Sequence, residues 1–330
     1  MVCPELPIGL DEIRQFEEMR QLLDAMLSEN DIEDFVLWYY TPMARPFTRH
    51  LIANATVYDC MDELSAFRGA PPGLRQAESD LFSAADVVFT GGRSLYESKR
   101  TFHSSVHCFP SSIESEHFAV ARTSAPDPID QAPIAHPRIG FCGVIDERMD
   151  LALISTVAES HPSWQFVMVG PVVKISQADL PRSTNLHYLG GKSYDEIPHY
   201  MAGWNVAMLP FAKNESTRFI SPTKTPEYLA AGLPVVSTSI ADVVRPYGEQ
   251  GLVEIADGAN DFASAIEKLL QPENAAQRSI RLERTDAFLA KSSWDKTWRD
   301  MESLIQQSIA GKQGKDTTQE ERMELSSAAD

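Results

Sequence analysis

The chain has 330 residues, of which 43% are hydrophobic and 23% are charged, a composition typical of a globular protein large enough for two hydrophobic cores. Its 47 acidic and 29 basic side chains give a net charge of −18, which argues against nucleic acid as a partner and against electrostatic attraction to anionic lipid. No stretch has the length of a transmembrane helix or the apolar centre of a signal peptide, so we expect a cytoplasmic protein.

Strands and helices alternate over the first 121 residues. Apolar side chains spaced three and four apart predict an amphipathic helix over residues 10–27. Short apolar runs predict four strands, at residues 35–39, 56–58, 86–90 and 106–109. Because helical segments separate these strands, we expect a parallel sheet with helices on both faces. Residues 122–137 hold four prolines and little apolar periodicity, which predicts a linker after a domain ending at residue 121.

A second run of alternating strands and helices begins with a strand at residue 138 and extends to residue 292. Further strands are predicted at residues 164–170, 186–190, 206–209, 233–236 and 252–255. The predicted helices near the end of the chain cover residues 261–270, 273–290 and 294–309. Residues 311–330 are polar and lack periodicity, so we expect them to be disordered.

Residues 221–238, with the sequence S-P-T-K-T-P-E-Y-L-A-A-G-L-P-V-V-S-T, combine a helix start with a buried strand. Ser221-Pro222 is our preferred helix start, with an N-cap hydroxyl followed by proline and a bend at Pro226. Lys224 and Glu227 lie one turn apart at this start, beside N–H groups that have no partner within the helix. Donors and a lysine suit phosphate, and a carboxylate suits vicinal hydroxyls, so the segment favours a sugar nucleotide.

This segment resembles the donor-binding element of the GT-B fold glycosyltransferases, in particular the retaining family 4 type (glycosyl transferases group 1). Residues 138–148 are similar to the first strand and phosphate loop of the donor domain in these enzymes. Residues 186–201 are similar to the F-L-G strand and L-P-x-x-Y helix, and residues 106–118 to the closing part of the acceptor domain. The likeness follows the family's order over roughly residues 138–305, which makes it specific.

The resemblance implies an α/β fold of two Rossmann-like domains. Residues 1–121 would be the acceptor-binding domain, residues 138–292 the domain for the nucleotide-sugar donor, and residues 293–310 a helix that crosses back to the first domain. Family members generally begin with a strand, a glycine-rich loop and two further strand–helix units before the point where this chain starts. We therefore expect an N-terminally truncated first domain with an incomplete acceptor pocket and an unpaired edge on the strand at residues 35–39.

The resemblance also implies roles for residues of the donor domain. Glu227 corresponds to the glutamate that hydrogen-bonds the ribose hydroxyls, and the alternative is a glutamate placed favourably in the first turn of a helix. Lys224 and Arg148 are candidates for the diphosphate, with solvated surface positions as the alternative. Gly143, in the phosphate loop, and Ser221, at the helix start, complete the expected donor-binding set.

Two departures from the family pattern affect this site. Val144 stands where the family has an arginine, which leaves Lys224 to replace the missing charge. Phe219 stands where the family has its first glutamate. Glu215 is the substitute we consider, as a catalytic residue that approaches the donor sugar from the loop after the strand at 206–209, with Arg218 as its ion-pair partner or a phosphate ligand. An exposed loop charge is the ordinary interpretation of each.

On the acceptor side, Asp62 and Glu63 follow a strand at the position where relatives carry a catalytic histidine or acid. We take Asp62 as the catalytic candidate, and helix capping before Leu64 is the alternative. The four cysteines are scattered, which favours buried free thiols over disulfides or a metal site. No histidine pairs with another ligand at a convincing spacing, so we expect no metal and no cofactor besides the nucleotide sugar as co-substrate.

The resemblance therefore implies a retaining, metal-independent hexosyltransferase that uses a nucleotide-diphosphate sugar. The expected acceptor is a saccharide or a lipid-linked saccharide, in cell-surface polysaccharide synthesis, and a peripheral membrane contact stays open. Two alternatives remain. A GT-B epimerase would act on the sugar nucleotide itself, and product analysis without acceptor would separate it from a transferase. A truncated chain could also be a non-catalytic nucleotide-sugar binder or a pseudogene product, which limited proteolysis would reveal as a stable core from about residue 136.

Overall fold

The computed structural model describes residues 5–123 and 126–327, with side chains to residue 313, and it divides into two compact units. Unit 1 contains the chain up to Gly91, residues Leu95–Phe109 and the chain from Trp298 onward. Unit 2 contains Gly92–Ser94 and Pro110–Thr297. The two units therefore divide at residue 109 rather than at the predicted residue 121.

Unit 1 is built around a four-stranded parallel sheet. Its elements are α1 (Glu12–Glu29), β1 (Val36–Tyr39), α2 (Arg45–Thr48), β2 (Ala55–Cys60), α3 (Leu74–Ala84), β3 (Val87–Thr90), α4 (Arg93–Lys99) and β4 (Val106–Cys108). The strand order is β1-β2-β3-β4, so each strand pairs with its neighbour in sequence. Among the described residues β1 pairs with β2 alone and forms one edge of the sheet, where the sequence predicts an unpaired strand.

Unit 2 is a larger parallel sheet with helices around it. Its elements are α5 (Ser115–Ala119), β5 (Arg138–Cys142), α6 (Leu151–Ser160), β6 (Gln165–Val169), β7 (Leu186–Gly190), α7 (Ile197–Ala202), β8 (Val206–Leu209), α8 (Lys224–Ala230), β9 (Val235–Ser237), α9 (Ala241–Val243), β10 (Glu254–Ile255), α10 (Ala259–Leu269) and α11 (Ala275–Leu289). The strand order is β10-β9-β8-β5-β6-β7. Successive strands are added on one side of β5 up to β7 and on its other side from β8 onward, so the order reverses at the centre of the sheet. Such a switch point is where open α/β sheets bind ligands, outside the carboxyl ends of their strands.

The last helix, α12 (Trp294–Ser327), carries the chain from unit 2 into unit 1, as the predicted crossover helix should. Met301 and Ile305 on this helix are buried with Val57 and Phe89 of the unit 1 sheet. The helix continues into the segment for which the sequence predicts disorder, because Glu, Gln, Lys and Met favour helix even without an apolar face. Residues 328–330 of the predicted tail lie outside the described residues.

The segment predicted to close the first domain and the linker after it are packed against unit 2. Ile113 and Phe118 lie in the core of unit 2, which is why the unit begins at Pro110. Gln131 is fully buried, and its side chain donates to the Tyr200 carbonyl at 2.9 Å and accepts from the Trp204 indole at 2.9 Å. The described part of the predicted linker is therefore structural. Its residues 124 and 125 lie outside the described residues.

The cysteines that the structure describes are free thiols. Cys60 and Cys142 are buried and Cys108 is half-buried, while Cys3 lies outside the described residues. Burial raises the pKa of Cys60 to about 12 and that of Cys142 to about 11. These thiols are therefore protonated at neutral pH and contribute to the packing of β2 and β5.

Candidate functional site

The carboxyl end of β5 brings two backbone segments into direct contact. Gly143 follows the strand with φ +152, and its N–H donates to the carbonyl of Val169 at 2.9 Å. Gly170, which follows β6 with φ +149, lies so close that a Cβ atom there would overlap the Gly143 carbonyl oxygen. Glycine is needed at position 170 because any other residue would be strained at this φ and its Cβ atom would clash with Gly143. The predicted phosphate loop is therefore fixed to the end of the neighbouring strand.

Arg148, the predicted diphosphate ligand in this loop, is held by a carboxylate of the same loop. Asp146 is buried, and both of its carboxylate oxygens accept from the guanidinium of Arg148, with an Nη2–Oδ2 distance of 2.7 Å. The Arg148 side chain remains 28% exposed. A bidentate pair of this kind fixes the orientation of the guanidinium, at the cost of neutralising part of its charge.

Helix α8 places the two central residues of the predicted donor site on one face. Lys224 Nζ donates to Oε2 of Glu227 at 2.7 Å, and the Glu227 side chain is only 12% exposed. Burial raises the pKa of Glu227, and the nearby charges of Lys224 and His117 partly counteract that rise. Oε1 of Glu227 accepts no hydrogen bond within the described part of the chain, which leaves it available to a ligand.

The expected start of this helix is wrong by two residues. The helix begins at Lys224, after Thr223, which makes no side-chain capping bond, and Pro226 lies within its first turn. Ser221 is half-buried in the preceding turn, where the Thr225 N–H donates to the carbonyl of Pro222 at 3.1 Å. Ser221 therefore lies outside the helix and does not cap it.

Tyr228 joins α8 to the end of β5. Its side chain is fully buried, and its hydroxyl accepts from the Cys142 N–H at 2.7 Å and donates to the Cys142 carbonyl at 3.2 Å. The residue before Gly143 is therefore held through both its N–H and its carbonyl by the residue that follows Glu227. This contact fixes the phosphate loop and the Lys224–Glu227 pair relative to each other.

Residues from two further segments flank Glu227. His117, on α5, stacks on Tyr194 with ring centroids 4.1 Å apart and planes 4° apart, and its Nε2 lies 3.1 Å from the Tyr194 carbonyl oxygen. The Tyr194 hydroxyl donates to Glu114 at 3.4 Å. Burial raises the pKa of Tyr194 to about 12, with Glu114 and Glu227 adding to the rise. Three segments distant in sequence thus place side chains close enough to Glu227 for their charges to affect one another.

Sequence reasoning missed Glu114, His117 and Tyr194 as site residues. The sequence motifs around residues 106–118 and 186–201 identified both segments, but only as markers of the fold. No spacing along the chain could connect His117 with Tyr194, because 77 positions separate them. The available signal was an aromatic residue in the loop that follows the carboxyl end of a parallel strand, β7.

The loop between β8 and α8 carries the other donor-side candidates. Glu215 and Arg218 form an exposed ion pair, with 3.8 Å between their charged atoms and 79% and 63% of their side chains exposed. Arg218 also lies over the Phe219 ring, 5.1 Å from its centroid. The neighbouring Thr217 is buried and anchors the loop through the carbonyls of Ala212 and Asn214. The structure thus keeps Glu215 and Arg218 together in solvent and does not bring them to the Lys224–Glu227 pair through any described bond.

The acceptor-side candidate, Asp62, lies in unit 1, half-buried in the loop after β2. The next residue, Glu63, is held by an ion pair with Lys99. The Lys99 Nζ lies 2.7 Å from Glu63 Oε2 and 2.7 Å from Glu78 Oε2. Lys99 is 4% exposed. This buried bridge ties the loop that carries Asp62 to α3 and α4.

Over residues 5–123 and 126–313 no group of three or more His, Cys, Asp or Glu side chains is placed to hold a metal ion. None of the helices within those residues combines the length and the apolar character that crossing a bilayer requires.

The family comparison agrees with this geometry. Residues 136–272, which contain the Gly143 loop, the Lys224–Glu227 pair and the sheet that positions them, match the sequence model of the family described as Glycosyl transferases group 1. Residues 136–272 therefore resemble a group 1 glycosyl transferase domain. The predicted family resemblance is thereby confirmed for the donor half of the chain.

A relative of this chain is named for polysaccharide biosynthesis. The chain is 29% identical over 258 residues to TuaH of Bacillus subtilis (strain 168), which is named as a teichuronic acid biosynthesis glycosyltransferase. The match covers 71% of this chain and 63% of the relative. The chain thus spans less than two thirds of the length of that protein.

Solved structures similar to this chain share its fold across both units. Sucrose-phosphate synthase from Thermosynechococcus elongatus matches with a TM-score of 0.68 and 15% identity, covering 92% of this chain and 81% of that one. HepE from Anabaena, solved in complex with UDP and glucose, matches with a TM-score of 0.65 and 13% identity, covering 94% and 84%. The predicted fold, two Rossmann-like domains of GT-B type, is confirmed.

Proposed function

We propose that unit 2 binds a nucleotide-diphosphate sugar and that the protein transfers the hexose to an acceptor with retention of the anomeric configuration. The observation that carries this proposal is the Glu227 carboxylate. Its side chain is only 12% exposed, is held by Lys224, and lies near the Gly143 turn. Both lie at a strand end of an open parallel sheet, where such sheets bind nucleotides.

The donor would be held by groups of opposite charge at this strand end. Oε1 of Glu227 would accept a hydrogen bond from a ribose hydroxyl while Oε2 stays with Lys224. Lys224 and Arg148 would face the diphosphate, and their present partners, Glu227 and Asp146, keep both cations oriented before the ligand arrives. Gly143 would allow the backbone to approach the phosphates closely, and Ser221 would contribute its hydroxyl from the turn before α8.

The proposed reaction is a displacement on one face of the sugar. The bond between the anomeric carbon and the diphosphate oxygen breaks while the acceptor oxygen forms its bond to the same carbon. The acceptor proton passes to the departing diphosphate oxygen, so the products are the nucleoside diphosphate and the glycosylated acceptor. Charge that develops on the leaving oxygen would be stabilised by Lys224 and Arg148, which is why we propose a reaction without a metal ion.

The remaining candidate residues have subordinate roles in this proposal. Asp62 would accept a hydrogen bond from the acceptor hydroxyl, and Glu215 would approach the donor sugar once Arg218 turns to phosphate. The acceptor we propose is a saccharide or lipid-linked saccharide in cell-surface polysaccharide synthesis, which the name of the TuaH relative supports. A cytoplasmic location, with peripheral membrane contact for a lipid-linked acceptor, stays a prediction.

Donor binding is tested by calorimetric titration of the full chain with a panel of UDP- and GDP-sugars. We expect at least one to bind, and Glu227→Gln to abolish that binding because the ribose loses its ionised acceptor. The matched control is Glu254→Gln, which breaks an ion pair of the same length, 2.7 Å to Lys268, elsewhere in unit 2. Absence of binding for every nucleotide sugar, or equal losses in both variants, would contradict the proposal.

The stereochemistry and the metal requirement need a separate measurement. NMR spectra of the first product formed from an α-linked donor should show an α-linked hexose, and turnover should persist in excess EDTA. A β-linked product would contradict retention, and loss of turnover that Mg²⁺ restores would contradict the role given to Lys224 and Arg148.

A further inference from the structure

Unit 1 has two exposed aromatic side chains that both lie next to a third aromatic side chain. Tyr40, immediately after β1, is 64% exposed, and Trp298, on α12, is 52% exposed. Trp38 lies next to both, with ring centroids 6.3 Å from Tyr40 and 6.2 Å from Trp298. We call Trp38, Tyr40 and Trp298 the aromatic cluster. Large exposed aromatic groups that adjoin one another are costly in water, and a cluster of this kind indicates a binding surface.

A buried carboxylate lies directly behind the aromatic cluster. Asp59, on β2, is 4% exposed, and its Oδ2 accepts a hydrogen bond from the Trp38 indole at 3.3 Å. Its Oδ1 is buried and has no hydrogen-bond partner in the part of the chain that the structure describes. A buried carboxylate oxygen without a partner costs free energy, so it indicates a ligand or an ordered group that completes the site.

Position within the sheet also favours a binding site. Tyr40 follows the last residue of β1, and Asp59 is the second-last residue of β2, so both lie at the carboxyl ends of parallel strands. Ligands bind at these ends in α/β sheets. The Tyr40 side chain is close enough to Asp59 for the carboxylate to affect its phenol, since burial, with a contribution from Asp59, raises the pKa of Tyr40.

We propose that the aromatic cluster, backed by Asp59, binds a neutral saccharide, with the faces of Tyr40 and Trp298 packed on pyranose rings. The C–H face of a pyranose packs on an aromatic face, and its hydroxyls donate to a carboxylate, so the two kinds of group on this surface match the two kinds of surface on a sugar. Asp59 holds the Trp38 indole in place, and we assign its unpartnered Oδ1 to a sugar hydroxyl.

Charge selects a neutral sugar rather than an anionic one. The chain carries a net charge of −18, and the carboxylate behind the aromatic cluster would repel a uronic acid or a phosphorylated sugar. This inference rests on the proposed function, since the bound saccharide is then the acceptor of the transfer reaction.

The test is saccharide binding to the full chain in the absence of any nucleotide sugar. The probes are maltotetraose, cellotetraose and chitotetraose, observed by saturation-transfer difference NMR and by the fluorescence of tryptophan. We expect at least one to bind, and Tyr40→Ala and Trp298→Ala each to weaken that binding about threefold to tenfold. The matched control is Phe102→Ala, which removes an exposed aromatic group of unit 1 with the same exposed fraction as Tyr40, 64%.

The possible outcomes separate this inference from the proposed function. Binding of no probe, or equal binding by the three aromatic variants, would overturn it. Loss of a dimer in light scattering when Tyr40 or Trp298 is changed, with saccharide binding unaltered, would also overturn it and assign the surface to self-association. Glu227→Gln, measured in the same series, should lose the nucleotide sugar and keep the saccharide. If donor binding fails while saccharide binding responds to Tyr40 and Trp298, the proposed function fails and this binding surface stands.

Discussion

Lys224 and Glu227 form an ion pair across one turn of α8, with 2.7 Å between Nζ and Oε2, and the carboxylate is the more buried of the two groups. Burial favours the protonated form of Glu227 and raises its pKa, while the Lys224 ammonium favours the ionised form and limits the rise. The pair therefore keeps a carboxylate ionised at a position from which water is largely excluded. A ligand that needs this carboxylate as an acceptor depends on Lys224 indirectly as well as through any phosphate contact.

Lys224→Met should move the pH at which the protein loses nucleotide affinity to a higher value. Because the variant no longer counteracts the effect of burial, Glu227 takes up its proton at higher pH, and affinity falls earlier on acidification. The measurement is nucleotide affinity by titration between about pH 5 and pH 8. Lys213→Met, which breaks the 2.8 Å pair with Asp257 in the same unit, should leave the midpoint unchanged. An unshifted midpoint in Lys224→Met would show that the ammonium does not control this carboxylate.

Tyr228→Phe should lower both the stability of unit 2 and its affinity for nucleotide. The hydroxyl satisfies the N–H and the carbonyl of Cys142 inside the protein, and phenylalanine leaves these groups without that partner, at a cost of about 1–3 kcal/mol. The turn at Gly143 is then less well fixed. Chemical denaturation and nucleotide titration check the two effects. Tyr188→Phe removes a half-buried hydroxyl that donates to Pro181 at 3.2 Å, and it should leave affinity unchanged.

Sequence reasoning predicts the secondary structure around this site better than the side-chain contacts within it. The alternation of apolar runs with helices predicts the parallel strands of both units, and the spacing of Lys224 and Glu227 predicts that they share a helical face, because these features depend on local periodicity. The stacking of His117 on Tyr194 and the pairing of Arg148 with Asp146 depend on tertiary packing. The periodicity of the sequence does not show which side chains come into contact once the sheet has formed.

The same limit explains the errors at the ends of elements. Ser221-Pro222 has the composition of a helix start, but the chain makes a further turn and begins the helix at Lys224. Helix α12 continues beyond the last residue with apolar periodicity, since periodicity indicates burial and a helix need not be buried. The packed segment around Gln131 was predicted to be a linker because its prolines and lack of periodicity resemble those of a mobile connector.

Gly170→Ala should disrupt the phosphate loop. A Cβ atom at this position overlaps the Gly143 carbonyl oxygen, and the φ of +149 is also unfavourable for alanine. The ends of β5 and β6 would have to separate, so we expect a lower midpoint of denaturation and a loss of nucleotide affinity. Gly191→Ala is the control, since its Cβ would meet only Pro171 at an ordinary 3.8 Å. If both variants bind nucleotide as the parent does, the close contact is not required.

Lys99→Met should be strongly destabilising for unit 1. The ammonium lies between Glu63 and Glu78 at 2.7 Å from each, and its loss leaves two poorly exposed carboxylates without their cation, which typically costs about 3–5 kcal/mol. Thermal denaturation followed by circular dichroism checks this. Arg20→Met, which breaks an exposed pair with Asp24, should change stability by about 0.5 kcal/mol or less. Similar effects for the two variants would mean that the buried bridge is dispensable.

Asp59→Asn should remove a pH dependence from the stability of unit 1. Burial raises the pKa of Asp59 from 3.8 to about 6, partly offset by the hydrogen bond from Trp38. The pKa of Asp59 is higher in the folded protein than in the unfolded one. Below about pH 4 the carboxyl is protonated in both states, so its burial does not lower the free energy of unfolding. The cost grows as the pH rises through this interval and is complete above about pH 6, where it amounts to about 3 kcal/mol. Asparagine does not titrate, so its stability relative to the parent should increase from pH 4 to pH 7.

The measurement is the free energy of unfolding of the parent and of Asp59→Asn across this pH range, compared as a difference so that other titrating groups cancel. Asp34→Asn, at an exposed position of the same unit, is the control and should give a difference that varies little with pH. A pH-independent difference for Asp59→Asn would show that the carboxyl is ionised at an ordinary pKa. In that case the buried acceptor beneath the aromatic cluster would have to be hydrated, and it would already have a partner in water.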